Sequence, residues 1–435
     1  MKKNFKYVML MATALILGFT SCSNDDVTGG ENPVEEGKST YATIKFTAPK
    51  TYGVDQAGTV AESKVNTIDV FIYDTNGFLK DSKQFTGATE TAAGSGVWEA
   101  GTMQTTTGAK KVYIIVNLPS AIAASDLNTV AKLTSIAHAV TVGDIATDNA
   151  FVMASDVSDA TFAEWDATSA DPIPASNEVK VTVKRWAAKL AVQETTGLTL
   201  AGIDGGDFSN LGFSAGQINT VTYAAQKIVG GVVQDPNHVN VIGTPGTGLT
   251  DLKPALADHI ALNGAALTAA DLIGKYVPEN TTESPISGDL TYVSVKAEFL
   301  PEKVWDNASG SWAEKNNTAG IATFYCIKTT EGNLYFDSQA LADQYVTDNL
   351  PPATEVLEYT DGVCYYTVYP NLQGAYQVLR NDFFQIKVDK INGLGDTAPG
   401  PKDPTDPVGV QTNIDVTIEV APWNLEVENV ELTPQ

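Results

Sequence analysis

Apolar residues recur at every second position in many short runs along the chain, the period of a β-strand with one buried face. Ala42, Ile44 and Phe46 alternate with Thr43, Lys45 and Thr47; Ile68, Val70 and Ile72 alternate with Asp69, Phe71 and Tyr73. Val293, Val295, Ala297 and Phe299 alternate with Ser294, Lys296 and Glu298. Asp74-Thr75-Asn76-Gly77 follows the second of these runs, and its Asn-Gly pair accepts the positive φ of a hairpin turn. Residues 111–116 are more continuously apolar, which predicts a central strand covered on both faces. Helical periodicity is confined to short stretches such as 121–136 and 339–350.

Turn signals between so many short strands predict an all-β chain built of sandwiches. A strand through Val179, Val181 and Val183 runs through Lys184-Arg185-Trp186 into a second apolar run, which places a domain boundary near Arg185. The expected N-terminal sandwich covers residues 39–185 and the C-terminal one residues 186–392.

The first residues follow a different pattern. Lys2, Lys3 and Lys6 precede an apolar run over 7–19, and the small pair Thr20-Ser21 leads to Cys22. This is the charged, greasy, small-residue order of a secretory signal peptide over residues 1–21. The run falls short of the roughly 20 apolar residues a membrane span needs. Cys22 stands where cleavage should occur, so its thiol can take a diacylglycerol and its freed amine a third acyl chain; two or more chains hold a protein on a membrane. Residues 22–38, with Asp25, Asp26 and a Gly-Gly pair, form a polar tether that has little to pack with.

The other end is also distinctive. After a strand through Phe384, Ile386 and Val388, residues 393–410 form a Gly/Pro-rich spacer, read as extended and semi-rigid because proline lacks an amide donor for a ladder. The tail over 411–435 follows. Ile414, Val416, Ile418 and Val420 alternate with polar residues, Ala421-Pro422-Trp423-Asn424 interrupts, Leu425 and Val427 resume, and Val430 and Leu432 sit on the other parity, as after a bulge. Strands with one apolar face must find a sheet edge. That edge belongs either to the same molecule's C-terminal sandwich or to a neighbouring subunit, joined by strand addition. Four apolar side chains at roughly 1.5–3 kcal/mol each give about 6–12 kcal/mol before ordering costs, enough for a durable joint.

A strand added in trans needs a vacant slot, and an open slot in a monomer aggregates. The first strand, 41–47, with Ala42, Ile44 and Phe46 inward, lies between the lipid tether and an expected exposed loop at Pro49-Lys50-Thr51-Tyr52-Gly53. A trypsin-like protease cutting after Lys50 would release that strand together with the lipid.

Charge and chemistry narrow the field. The formal net charge is −25, and residues 1–21 carry three lysines and no acid, so their removal makes it −28. Such a chain repels nucleic acid and anionic membrane surfaces. Of three cysteines, Cys326 and Cys364 remain beside Cys22; they either pair in an oxidising compartment or sit as small buried apolar groups. His138, His238 and His259 are far apart and lack metal-ligand spacing, so they read as surface or structural residues. No P-loop, dinucleotide fingerprint or EF-hand loop occurs, and no catalytic residue, cofactor or metal is assigned. Trp305, Trp312, Tyr365 and Tyr366 are read as packing residues, with a carbohydrate site as the alternative.

Seven segments together resemble the major fimbrial subunits of Bacteroidota, the Porphyromonas-type (type V) pilins: the lipobox at Cys22, KVNTIDVFIY at 64–73, KVYIIVN at 111–117, KVTVKRWAAKL at 180–190, YVPEN at 276–280, RNDFFQIKVDK at 380–390 and IDVTIEVAPWNLEVENVEL at 414–432. The last, with its Ala-Pro-Trp interruption, is the most specific. The resemblance implies two transthyretin-like β-sandwich domains, export as a lipoprotein anchored at the outer membrane, removal of the first strand and polymerisation through the C-terminal donor strand into a cell-surface fimbrium. Its implied partners are other copies of the chain, minor fimbrial subunits and a trypsin-like processing protease. Family members are often cut after arginine, and this chain has no arginine before Arg185, so the matching site is Lys50. Asp396-Thr397-Ala398 resembles an O-glycosylation sequon of Bacteroidota. The alternative reading is a tip adhesin or surface glycan-binding lipoprotein that keeps its anchor.

Overall fold

The computed structural model describes residues 37–49, 59, 61–92, 95–238, 253–268, 271–283, 286–306, 308–314, 322–370, 377–408 and 413–422. The signal peptide, Cys22, Lys50, Trp423, Leu425, Val427, Val430 and Leu432 lie outside the described residues.

The principal strands of the first half are β1 (Ser39–Thr47), β2 (Thr67–Tyr73), β3 (Leu79–Thr86), β4 (Val97–Thr106), β5 (Gly108–Val116), β6 (Met153–Ser155) and β7 (Glu178–Arg185). They are joined edge to edge in the order β3-β2-β5-β6-β7-β1-β4. β7 turns the corner. Its first half runs parallel to β1, from Thr43 opposite Glu178 to Thr47 opposite Thr182, and its second half runs antiparallel to β6. The folded sheet therefore encloses one core, where Ala42, Ile44 and Phe46 of β1 meet Ile68, Val70 and Ile72 of β2 and Val112, Ile114 and Val116 of β5. The hairpin expected at Asn76-Gly77 joins β2 to β3; Gly77 has φ +83°, and the Asp74 carboxylate accepts from the Phe78 N–H at 2.9 Å.

Two expectations change here. β2 was read as having one buried face, yet Phe71 and Tyr73 on the other parity are also buried, packed with Tyr113, Ile115 and Trp186 beneath the loops that follow β5. Their burial is tolerated because the hydroxyls find acceptors: Tyr73 donates to the Leu127 carbonyl and Tyr113 to the Ala224 carbonyl, each at 2.7 Å. The helix expected over 121–136 breaks at Asn128-Thr129, leaving Val130–Leu133 as a short helix capped by the Thr129 hydroxyl. The stretch 339–350 does form a helix, Gln339–Asn349, capped by Ser338.

Trp186 separates β7 from β8 (Ala187–Glu194), which belongs to a different sheet. With β9 (Gly206–Gly216), β10 (Lys275–Pro278), β11 (Tyr292–Pro301), β12 (Val363–Val368), β13 (Asp382–Ile391) and β14 (Ile414–Pro422), the second half forms sheets ordered β10-β8-β13-β14 and β9-β11-β12. Leu190, Val192, Phe384, Ile386 and Val388 of one sheet face Phe213, Val293, Val295, Ala297 and Phe299 of the other. Cys326 and Cys364 lie in this core as free thiols, so the pairing left open by the sequence is not made.

The Gly/Pro stretch after β13 is not an outstretched spacer. Asp396 and Tyr365 exchange backbone hydrogen bonds of 2.8 Å, the Gly288 N–H donates to the Pro404 carbonyl at 2.7 Å, and Ser287 N–H donates to the Asp406 carbonyl at 2.9 Å. Proline lacks a donor but keeps its acceptor, and the domain supplies the donors. Gly395 is needed here because a Cβ would collide with the Tyr365 backbone.

Candidate functional site

β1 is the candidate functional element, and its setting follows from its alternation. Thr40, Ala42 and Ile44 are 0 % exposed and Phe46 is 1 % exposed. On one side β1 pairs antiparallel with β4, from Ser39 opposite Thr106 to Thr47 opposite Val97, with a bulge between Ile44 and Lys45; on the other it pairs parallel with β7. A strand bonded on both edges leaves, if removed, a slot lined by two unpaired ladders.

The outward face of β1 is polar and ion-paired. Lys45 reaches Glu178 at 2.5 Å and Glu99 at 3.6 Å, and Lys180 reaches Glu178 at 2.8 Å. Hydrogen bonds from Lys180 and Lys45 hold the Glu178 carboxyl below its ordinary value. The Tyr41 ring stands edge-on to Trp165 at 5.8 Å.

The two ends of the inward face differ. Beside Phe46 lies an open depression of about 340 Å³ lined also by Val97 and Val181 and by the polar Lys45, Thr47, Lys180 and Thr182. At the other end sits Asn177, fully buried, whose amide donates to the Thr40 hydroxyl at 3.1 Å, the Tyr41 carbonyl at 3.0 Å and the Ala163 carbonyl at 2.9 Å. The Thr40 hydroxyl in turn donates to the Ala163 carbonyl at 2.8 Å. Sequence reasoning missed Asn177; nothing in its neighbourhood marks it, because its partners lie up to 137 residues away.

Downstream of β1, the chain is anchored again at Glu62, whose side chain is 1 % exposed. Its carboxylate accepts from Lys189 Nζ at 2.9 Å, from the Tyr276 hydroxyl, and from the Thr59 N–H at 2.5 Å. Arg185, fully buried, donates through Nε to the Glu62 carbonyl at 2.9 Å and through Nη2 to the Ser63 hydroxyl at 2.7 Å. Burial pushes Arg185 down to about 10 and lowers Lys189 as well. The YVPEN segment contributes Tyr276 to this cluster and Glu279 to a second one, where Arg380 Nε lies 3.3 Å from the Glu279 carboxylate.

The tail strand β14 is an edge strand, paired antiparallel with β13 from Ile391 opposite Ile414 to Asp382 opposite Pro422. Ile414 is buried, and Val416 and Ile418 are partly buried against the C-terminal core, while Asp415, Thr417 and Glu419 face outward. Of the two edges left open by the sequence, Ile414–Pro422 takes its own domain's. Val420 falls within that strand.

The remaining candidates are structural. His138 is buried, His238 Nδ1 lies 3.0 Å from the Thr281 hydroxyl and His259 Nε2 lies 3.0 Å from the Ser294 hydroxyl. Among the described residues no group of His, Cys, Asp and Glu is arranged to hold a metal ion, and no helix is long and apolar enough to cross a membrane. Tyr366 is fully buried and Tyr365 nearly so, while Trp305 packs edge-on to Trp312 and Tyr345, each at 5.3 Å. Trp312 is 41 % exposed.

The family model of the Major fimbrial subunit protein (FimA) matches residues 40–185, from the second residue of β1 to the last of β7. That of the Major fimbrial subunit protein type IV, Fimbrillin, C-terminal matches residues 357–429, and the two together span half of the chain. The chain belongs to the major fimbrial subunit family. This fimbrial subunit is thereby a component of a cell-surface fimbria, in a family of structural rather than enzymatic proteins. Solved structures similar to the subunit include a fimbrilin from Porphyromonas gingivalis W83, 14 % identical over 88 % of this chain and 98 % of that one, with a TM-score of 0.49. A fimbrial assembly protein from Parabacteroides distasonis ATCC 8503 is 13 % identical over 89 % and 99 %, with a TM-score of 0.40. The tip fimbrial protein Mfa3 from Porphyromonas gingivalis with C-terminal truncation is 13 % identical over 88 % and 100 %, with a TM-score of 0.35. No curated protein matches the subunit.

Proposed function

We propose that this fimbrial subunit builds the shaft of the fimbria: it is exported as a lipoprotein acylated on Cys22, loses β1 by cleavage after Lys50, and polymerises by donor-strand exchange. The observation that carries the reading is the setting of β1, a strand hydrogen-bonded on both edges with a continuous buried face. While it is in place the precursor shows no open ladder there, and the lipid keeps the precursor at the outer membrane until assembly. Excision creates a slot that the C-terminal tail of another copy fills; minor fimbrial subunits cap the ends, and the cleaving enzyme is a trypsin-like protease. On this reading the two halves are transthyretin-like sandwiches and the lipid is a transit device.

The partly buried side chains of Val416 and Ile418 on an edge strand, against the fully buried ones of β1, support β14 as the hinge side of the tail and β1 as the seat. The test is N-terminal sequencing of the mature surface form, joined to protease treatment of the purified precursor. The reading expects a mature chain beginning at Thr51 and ladders of polymer on gels. A mature N-terminus at acylated Cys22, or a cleanly trimmed chain that stays monomeric, overturns it.

A further inference from the structure

Each half of the chain has its own core, one gathered around Ile44, Ile72 and Ile114 and the other around Val192, Val295 and Ile386. Two domains built in this way move and open separately unless the surface between them is large and apolar. Here the connection is a single residue. β7 ends at Arg185, β8 begins at Ala187, and Trp186 between them is 1 % exposed.

Trp186 is buried in a third cluster that belongs to neither half alone. Phe71, Tyr73 and Tyr113 reach it from the first half, and Ala187, Ala224 and Ala225 from the second. A smaller cluster repeats the arrangement: Phe151 of the first half packs with Ala191, Leu272 and Phe383 of the second, and its ring stands edge-on to Tyr276 at 4.9 Å. Hydrogen bonds close the same boundary. His138-Ala139 and Val221-Thr222 pair as a short antiparallel ladder across it, and the Ala225 N–H donates to the Leu133 carbonyl at 2.9 Å. At the connection itself the Arg185 N–H donates to the Asn381 side-chain oxygen at 3.1 Å, and the Asn381 N–H donates to the Ala187 carbonyl at 2.9 Å. The end of β7 is thereby fastened to the start of β13, and the Arg380 guanidinium lies over the Trp186 ring at 5.7 Å. Parting the halves would bring aromatic rings into water and break the hydrogen bonds between them, and both losses fall on the two halves at once.

We infer that this junction is a third core that locks the two halves into one cooperative unit, so that neither opens without the other. In a fimbria the subunit then acts as a single stiff segment, and bending is left to the contacts between subunits. Tension carried along the fimbria meets the junction as a packed core and not as a hinge.

Hydrogen exchange on the intact purified chain tests the lock, read at the slowest amides of β2 and β7 in the first half and of β9 and β11 in the second. Ile114→Val loosens only the first core, Ile386→Val only the second, and Phe151→Leu only the junction; all three side chains are fully buried. The substitutions are small enough to keep the fold, and none lies in a strand that is read. Each should speed the slowest amides of both halves by one common factor, about twofold to tenfold for the loss of a single methylene. Acceleration confined to the half that carries the substitution overturns the inference. So does a Phe151→Leu chain in which both halves exchange as in the wild type. Calorimetry is the second readout: the lock requires one transition whose calorimetric and van't Hoff enthalpies agree, and two resolved transitions overturn it.

Discussion

Lys189 Nζ lies 2.9 Å from Oε1 of Glu62, and each side chain is 1 % exposed. Glu62 precedes β2 in the N-terminal half and Lys189 sits in β8 of the C-terminal half, so this pair ties the two sheets across the Arg185–Ala187 junction. Removing the anion takes from the buried Lys189 its 2.9 Å carboxylate partner and from the buried Arg185 a neighbouring negative charge, while Arg185 keeps the Glu62 carbonyl and the Ser63 hydroxyl. Glu62→Gln should therefore destabilise the protein by about 3–5 kcal/mol, the range for breaking one partner of a buried pair. Urea unfolding checks this, and a loss below about 1 kcal/mol, the range of exposed pairs, would show that water reaches the cluster.

The same carboxylate predicts an acid response. Burial alone would raise its pKa, but the Lys189 charge and the Tyr276 hydroxyl outweigh burial and lower it. A folded pKa below the unfolded value of about 4.3 gives stability that is present above that value and lost as pH falls through the folded one. The stability gap between wild type and Glu62→Gln should be full at neutral pH and narrow on acidification below about pH 4.3. Urea midpoints of both proteins across that range measure it, and a gap that widens in acid would reverse the sign.

The two preceding predictions depend on residues that the sequence conceals. Alternation at Ala42, Ile44 and Phe46 was enough to place β1, because a strand's period is local and its buried face is written in consecutive residues. The break between β7 and β8 was readable for the same reason. The Glu62 cluster was not, since Lys189 and Tyr276 lie 127 and 214 residues away and an isolated Glu carries no sign of its partners. Asn177 was hidden in the same manner. The docked Gly/Pro stretch was misread because proline content speaks to donors, whereas this segment is held largely through acceptors and glycine contacts.

Asp382, the first residue of β13, stands opposite Pro422, the last residue of β14. Burial pushes its carboxyl up to about 7, against one hydrogen bond from the Leu379 N–H at 3.3 Å. With the folded value raised, the stability it contributes is full below the unfolded value of about 3.9 and lost as pH rises through the folded one. Asp382→Asn should raise the melting temperature at pH values above the folded pKa and change it little below the unfolded one. A melting temperature lowered by the substitution in alkaline buffer would mean that the ionised form is stabilised by the fold.

The thiols give a third kind of test. Burial pushes Cys326 up to about 12 and Cys364 up to about 11, and both are free. A thiol reagent at mildly alkaline pH should leave them untouched in the native protein and label both after denaturation, since the thiolate is the reactive form. Adding a reductant should not move the unfolding midpoint. Rapid native labelling would show that the C-terminal core opens readily.

Truncation separates the two runs of the tail. Ile414 is buried, and Ile414–Pro422 covers the edge of β13, whose Phe384, Ile386 and Val388 belong to the C-terminal core. Ending the chain before Ile414 uncovers that edge and removes one fully buried isoleucine together with partial burial of Val416 and Ile418, a loss of about 3–6 kcal/mol at ordinary burial values. Ending it after Pro422 removes none of these contacts. Both truncations should block assembly of the processed chain. Only the longer one should lower the unfolding midpoint, and it should also expose an unpaired strand that promotes aggregation. Denaturation and assembly assays on the two truncations decide the matter: assembly surviving the loss of residues 423–435 would move the donor role back to the run that begins at Ile414.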